Sequence, residues 1–198
     1  MCEDNDIRIA GSHPSREISS SADLDAEASL RELNREKENG NLEKARGLGA
    51  AAAAEVYADN GESFFGMDSS ENAQMREQRQ MLLAFAAVVG FDKYVPNAHC
   101  ARAALSTFYE TLKRDAPQIY DDVERSFAFS FYFLEYHRGR NVAAAIGQTF
   151  AMLCGRPGDS VCTQLGKALY LRFLDVIQSM AEHTGFVKEE SVEKEESR

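Results

Sequence analysis

Apolar residues recur at helical spacing along most of this chain, and glycine and proline punctuate the segments they mark. From about Ser70 to Val89, positions Met75, Leu82, Phe85, Ala86 and Val89 fall on one side of a helix; Asp68, Ser69 and Ser70 offer caps and Gly90 a stop. Asn97 then caps a helix to about Arg114, with Ala101, Leu105, Phe108, Tyr109 and Leu112 on its apolar face. Pro117 suits the first turn of a further helix reaching residue 138. Residues 141 to 154 form a short helix stopped by Gly155. The turn after it leads to Asp159, the N-cap of a last helix that carries Val161, Leu165, Leu169, Phe173, Val176, Ile177 and Met180 and ends at Thr184 before Gly185.

The stretch from 117 to 138 carries two patterns at once. Ile119, Val123, Phe127, Phe131 and Leu134 repeat as a helix would, while Phe127, Phe129, Phe131 and Phe133 alternate as a strand would. Length and capping favour a helix. Its second half has aromatic residues all round, which predicts a central helix buried on several sides.

The N-terminal third is weaker. Residues 1 to 22, rich in Ser, Asp and Glu, cannot offset their ordering entropy and read as a disordered tail. Asp23 starts a helix with a thin stripe of Ala26, Leu30 and Leu33, stopped by Gly40. Asn41 caps a second, in which Gly47, Gly49 and the alanines 50 to 54 permit close approach of another backbone. Residues 60 to 70 read as a linker in which Phe64 and Phe65 anchor to the core. The pattern predicts an all-α fold: a single helical bundle of about five main helices, preceded by one or two weaker ones and flanked by disordered acidic ends. The divisions are a tail at 1–22, a helical arm and linker at 23–66, a bundle core at 67–187 and an acidic tail at 188–198.

Charge separates the same regions. Residues 81 to 187 hold 16 of the 19 Phe and Tyr and balance 10 basic against 10 acidic side chains, whereas residues 1 to 80 carry a net charge of −8 and residues 188 to 198 carry −2. Nucleic acids and anionic membranes are read by clustered Lys and Arg, so neither is an expected partner. No apolar run approaches the ~20 residues that span a bilayer. Met1 to Ala10 carries Glu3, Asp4 and Asp6 where a signal peptide would be basic, so a cytoplasmic location is expected. Cys2, Cys100, Cys154 and Cys162 are too sparse for a disulfide framework and read as reduced, mostly buried thiols.

Candidate chemistry is thin. The one basic cluster is His137, Arg138 and Arg140, beside the N–H groups that open the helix at 141, an arrangement that holds anions. The competing reading is that these side chains neutralise the end of the preceding helix. His99 and Cys100 are adjacent, so their side chains diverge by about 100° on a helix and make no zinc pair. Cys154 and Cys162 flank the Gly155–Asp159 turn and can approach each other, but buried, inert thiols explain them better. The helix, turn and helix there have the spacing of a DNA reader, but the last helix is too long and too apolar to be one. Nucleophile-elbow, phosphate-loop, dinucleotide and metalloenzyme patterns are absent from the sequence. The expectation is a non-enzymatic intracellular interaction or regulatory module, without metal or cofactor, that meets a protein partner or forms a homodimer. The alternative is a small-molecule sensor or carrier with an aromatic pocket between helices, for an anionic ligand at His137, Arg138 and Arg140.

Overall fold

Local signals account for most of the helix ends in the computed structural model, which describes residues 21–58 and 73–187. Eight helices and no strand lie among the described residues: α1 (Ser21–Glu38), α2 (Asn41–Ala58), α3 (Ala73–Tyr94), α4 (Ala98–Asp115), α5 (Pro117–Arg125), α6 (Ala128–Arg138), α7 (Val142–Leu153) and α8 (Ser160–Thr184). The Asn97 side chain accepts from the Cys100 amide at the start of α4, Asp159 accepts from the Val161 and Cys162 amides at the start of α8, and Pro117 opens α5. The residues read as tails and linker lie outside the described residues, except Ser21 and Ala22, which open α1.

Three expectations need correction. The stretch from 117 to 138 is two helices, not one, so six helices follow the linker where five were expected. Ser126 ends α5 in an extended conformation, and its hydroxyl accepts from the Ala128 amide 3.0 Å away, one residue ahead of the Phe127 N-cap of α6. Gly90 does not stop α3, because its backbone stays helical: it is a packing residue, and a Cβ there would run into Ile177 of α8. Asn41 is no cap for α2. It is fully buried, its amide donates to the Val187 carbonyl at 2.9 Å and its carbonyl accepts from the Val187 amide at 2.8 Å.

The centre of the molecule is α3, not the aromatic stretch at 128–138. Helix α3 packs on every helix from α2 to α8 and buries Met81 to Ala87 without interruption, together with Val89, Gly90 and Phe91. Alanines 84, 86 and 87 make that possible, since small side chains let neighbours close in from several sides. The most extensive pairing is α2 with α4, where Gly49 lies against the Ala104 carbonyl so closely that no Cβ would fit. The N-terminal helices therefore differ: α2 buries Ala45, Leu48, Ala52, Ala53 and Val56, whereas α1 leaves Ala26 and Leu30 exposed. No helix among the described residues is long and apolar enough to cross a membrane.

Candidate functional site

The four phenylalanines that alternate in sequence part company on the helix. Residues four apart share a face, so Phe129 and Phe133 point inward with Tyr132 and Tyr136, while Phe127, Phe131 and Leu134 point outward. The inward set grips Phe85 of α3: its ring centroid lies 6.0 Å from Phe129, 5.3 Å from Tyr132, 5.1 Å from Phe133 and 6.3 Å from Tyr136. The outward set is solvated, with Phe127 80%, Phe131 44% and Leu134 49% exposed. Only Ala128 and Tyr132 of α6 are buried. A two-residue period would have put all four rings on one side, and the helical period instead makes a helix apolar on two.

Beside the inward face lies a groove of about 430 Å³ between α3, α4 and α6. Val89 and Phe91 from α3, Ala101 and Leu105 from α4, and Phe133 and Tyr136 from α6 give it an apolar floor. The predicted apolar face of α4 thus divides, with Cys100, Ala104, Phe108 and Leu112 in the core while Ala101 and Leu105 face the groove. Asp92, Arg102 and His137 supply its polar groups, and all three are exposed. Arg102 has no ion pair or hydrogen bond among the described residues. The His137 ring stacks on Phe133 at 6.1 Å and meets the edge of Tyr136 at 5.7 Å.

The three basic residues expected to hold an anion have different surroundings. His137 joins the groove, Arg138 is paired with Glu135, and Arg140 is exposed in the turn before α7. Sequence reading missed Arg102 and Asp92, which nothing in their neighbourhood distinguishes from ordinary solvated helix charges.

A second cavity, about 680 Å³, opens where α1, the α3–α4 connection and the end of α8 meet. Glu36 sits beside it, almost fully buried. Burial alone would raise its pKa, but hydrogen bonds from Asn41, Asn39 and Arg35 outweigh that and hold it below the usual carboxylate range. The Asn41 amide is 2.6 Å from its Oε2. Burial and the Glu36 charge push the Cys100 thiol up to about 11, so it is protonated and unreactive at neutral pH. His99 turns the other way, 3.2 Å from the Ser29 hydroxyl and 3.6 Å from Glu32. This is a satisfied structural junction, clamped further by Lys44 donating to the Gly185 carbonyl at 2.7 Å. No group of three or more metal-ligating side chains is placed to hold an ion among the described residues.

No protein-family model matches the chain, and neither the curated proteins nor the solved structures contain a match.

Proposed function

We propose that this chain is a non-enzymatic intracellular interaction module, a helical-bundle scaffold that presents the outer face of α6 to the apolar face of a protein partner. The observation that carries this reading is the solvated stripe of Phe127, Phe131 and Leu134. Three large apolar side chains on one helix face are the pattern a helix-in-groove or helix-on-helix partner recognises. The stripe is small for a stable symmetric dimer, which buries roughly 800 Å² per partner, so a second chain of different sequence fits it better than a second copy. The test is a photo-crosslinking residue at position 131, with the same residue at exposed Asp175 as control, in the full chain expressed in its own cells. A discrete product at 131 that is absent at 175, and that disappears when Phe127 and Leu134 are changed to Ser, supports the reading. Equal labelling at both positions sinks it, and a product of twice the chain mass assigns the face to a homodimer.

The groove favours a second reading, a carrier or sensor of an amphipathic anion. Its volume is that of a small-molecule site, its floor is apolar and aromatic, and Arg102, without a partner among the described residues, stands at its edge with His137, opposed by one carboxylate, Asp92. The probe is octanoate, followed by thermal unfolding. Stabilisation that saturates and is lost in Arg102→Ala supports the carrier; stabilisation unchanged in that variant, or none, removes it.

A further inference from the structure

The hairpin of α7 and α8 holds a feature that neither the α6 face nor the groove uses. Its helices approach closely because glycine stands where any larger residue would collide: a Cβ on Gly166 would strike Phe150, and one on Gly147 would strike the Thr163 carbonyl. The contact of Phe150 with Gly166 sets the register of the antiparallel pair. One helical turn onward along α7 and one turn back along α8 place Cys154 opposite Cys162 at the closed end of the hairpin. Both are unbridged and buried, 7% and 2% exposed, and their thiols lie close enough to interact.

A third group faces the pair. Tyr132 of α6 is fully buried, its hydroxyl has no hydrogen-bond partner among the described residues, and it lies within electrostatic reach of both sulfurs. Disulfides require Cβ atoms within about 4.5 Å, and the glycine-tight contact of α7 with α8 draws the facing positions that flank it toward each other. The connection between the cysteines, Gly155 to Gly158, is exposed, so opening this end of the hairpin uncovers the thiols.

We propose that Cys154 and Cys162 form a reversible disulfide that closes the α7–α8 hairpin, by exchange with a low-molecular-weight disulfide. Cys154, the more exposed of the two and at the edge of the open turn, loses its proton and attacks one sulfur of the reagent. The reagent's S–S bond breaks, a mixed disulfide forms and one small thiol leaves with that proton. Cys162, whose thiol burial holds above its ordinary pKa, loses its proton once the mixed disulfide stands beside it and attacks the Cys154 sulfur, forming the internal bond and releasing the second small thiol. The two protein thiols are oxidised and the reagent disulfide is reduced to two thiols. Cys100, buried on another face and turned to Glu36, takes no part.

The test equilibrates the folded full-length chain in mixtures of oxidised and reduced glutathione, quenches with acid, alkylates remaining thiols in denaturant and digests with trypsin. Residues 141 to 167 emerge as one peptide holding both cysteines, because Arg156 precedes Pro157 and is not cut. The expected result is that this peptide becomes two hydrogens lighter and escapes alkylation, while Cys100 is alkylated throughout. The oxidised protein should also melt several degrees higher than the reduced one, a difference absent in Cys154→Ser. A doubly alkylated peptide across the whole series overturns the proposal. So does a persistent single glutathione adduct on it, or a bond from either cysteine to Cys2 or Cys100. The mapping needs no variant, so a misfolded Cys154→Ser protein would not blunt it.

Discussion

Helix α6 is the more aromatic of the two apolar helices that meet at Phe85, yet α3 is the one the molecule is built around. Four residues of α6 contact the single ring of Phe85, and only two residues of α6 are buried; α3 buries twelve, including Gln78 and Arg79. What distinguishes them is side-chain size. Alanines 84, 86 and 87 and Gly90 let α3 accept neighbours on every side, whereas a helix studded with phenylalanine holds its neighbours off and can be covered on only one. Richness in large apolar residues marks a face that contacts the core, and it does not mark the core's centre.

That contrast can be broken most directly at Phe85. Phe85→Ala should cost about 3–5 kcal/mol in urea unfolding, because the vacated volume is walled by rings of α6 and α8 that cannot collapse into it. Gly90→Val comes next, at about 1–3 kcal/mol, since its branched side chain meets Ile177 across the α3–α8 contact. A cost near zero there would show that α3 is less tightly enclosed than its burial implies. Tyr132→Phe should change stability in the opposite direction, gaining about 1 kcal/mol by removing a hydroxyl that has no partner. The smallest effect belongs to the outer face of α6: Phe127→Ala should stay within about 0.5 kcal/mol of the parent. If it cost as much as Phe85→Ala, α6 would have to be covered on both sides and the interaction face would disappear.

Much of this architecture was legible because helix ends are local events. Asn97, Pro117, Asp159, Gly139 and Gly185 act on their own turn of backbone, so their neighbours in sequence suffice to read them. The break at Ser126 was equally local. An apolar repeat running through it concealed a serine that ends one helix and accepts from the first amide of the next. Asn41 deceived for the reverse reason: it is a good capping residue by type, but residue 187 and the Glu36 carboxylate bid for its side chain from outside its own helix. That Cys154 and Cys162 can approach each other was readable from the short turn between them, while the helix contact beside them, glycine against Phe150, is a tertiary one.

From the sequence alone came the all-helical class, most helix limits, the neutral aromatic middle and the acidic flanks, all of which follow from interactions within a few residues or from composition. Only the tertiary structure decided that α3 is central and α6 peripheral, that Phe127 and Phe131 face water while Phe129 and Phe133 face Phe85, and that His137 joins Arg102 and Asp92 around a groove instead of Arg138 and Arg140. The physical reason is the same in each case. Periodicity tells which side chains share a face of a helix, but which face is covered depends on how closely other helices can approach it, and that is set by small residues far away in the chain.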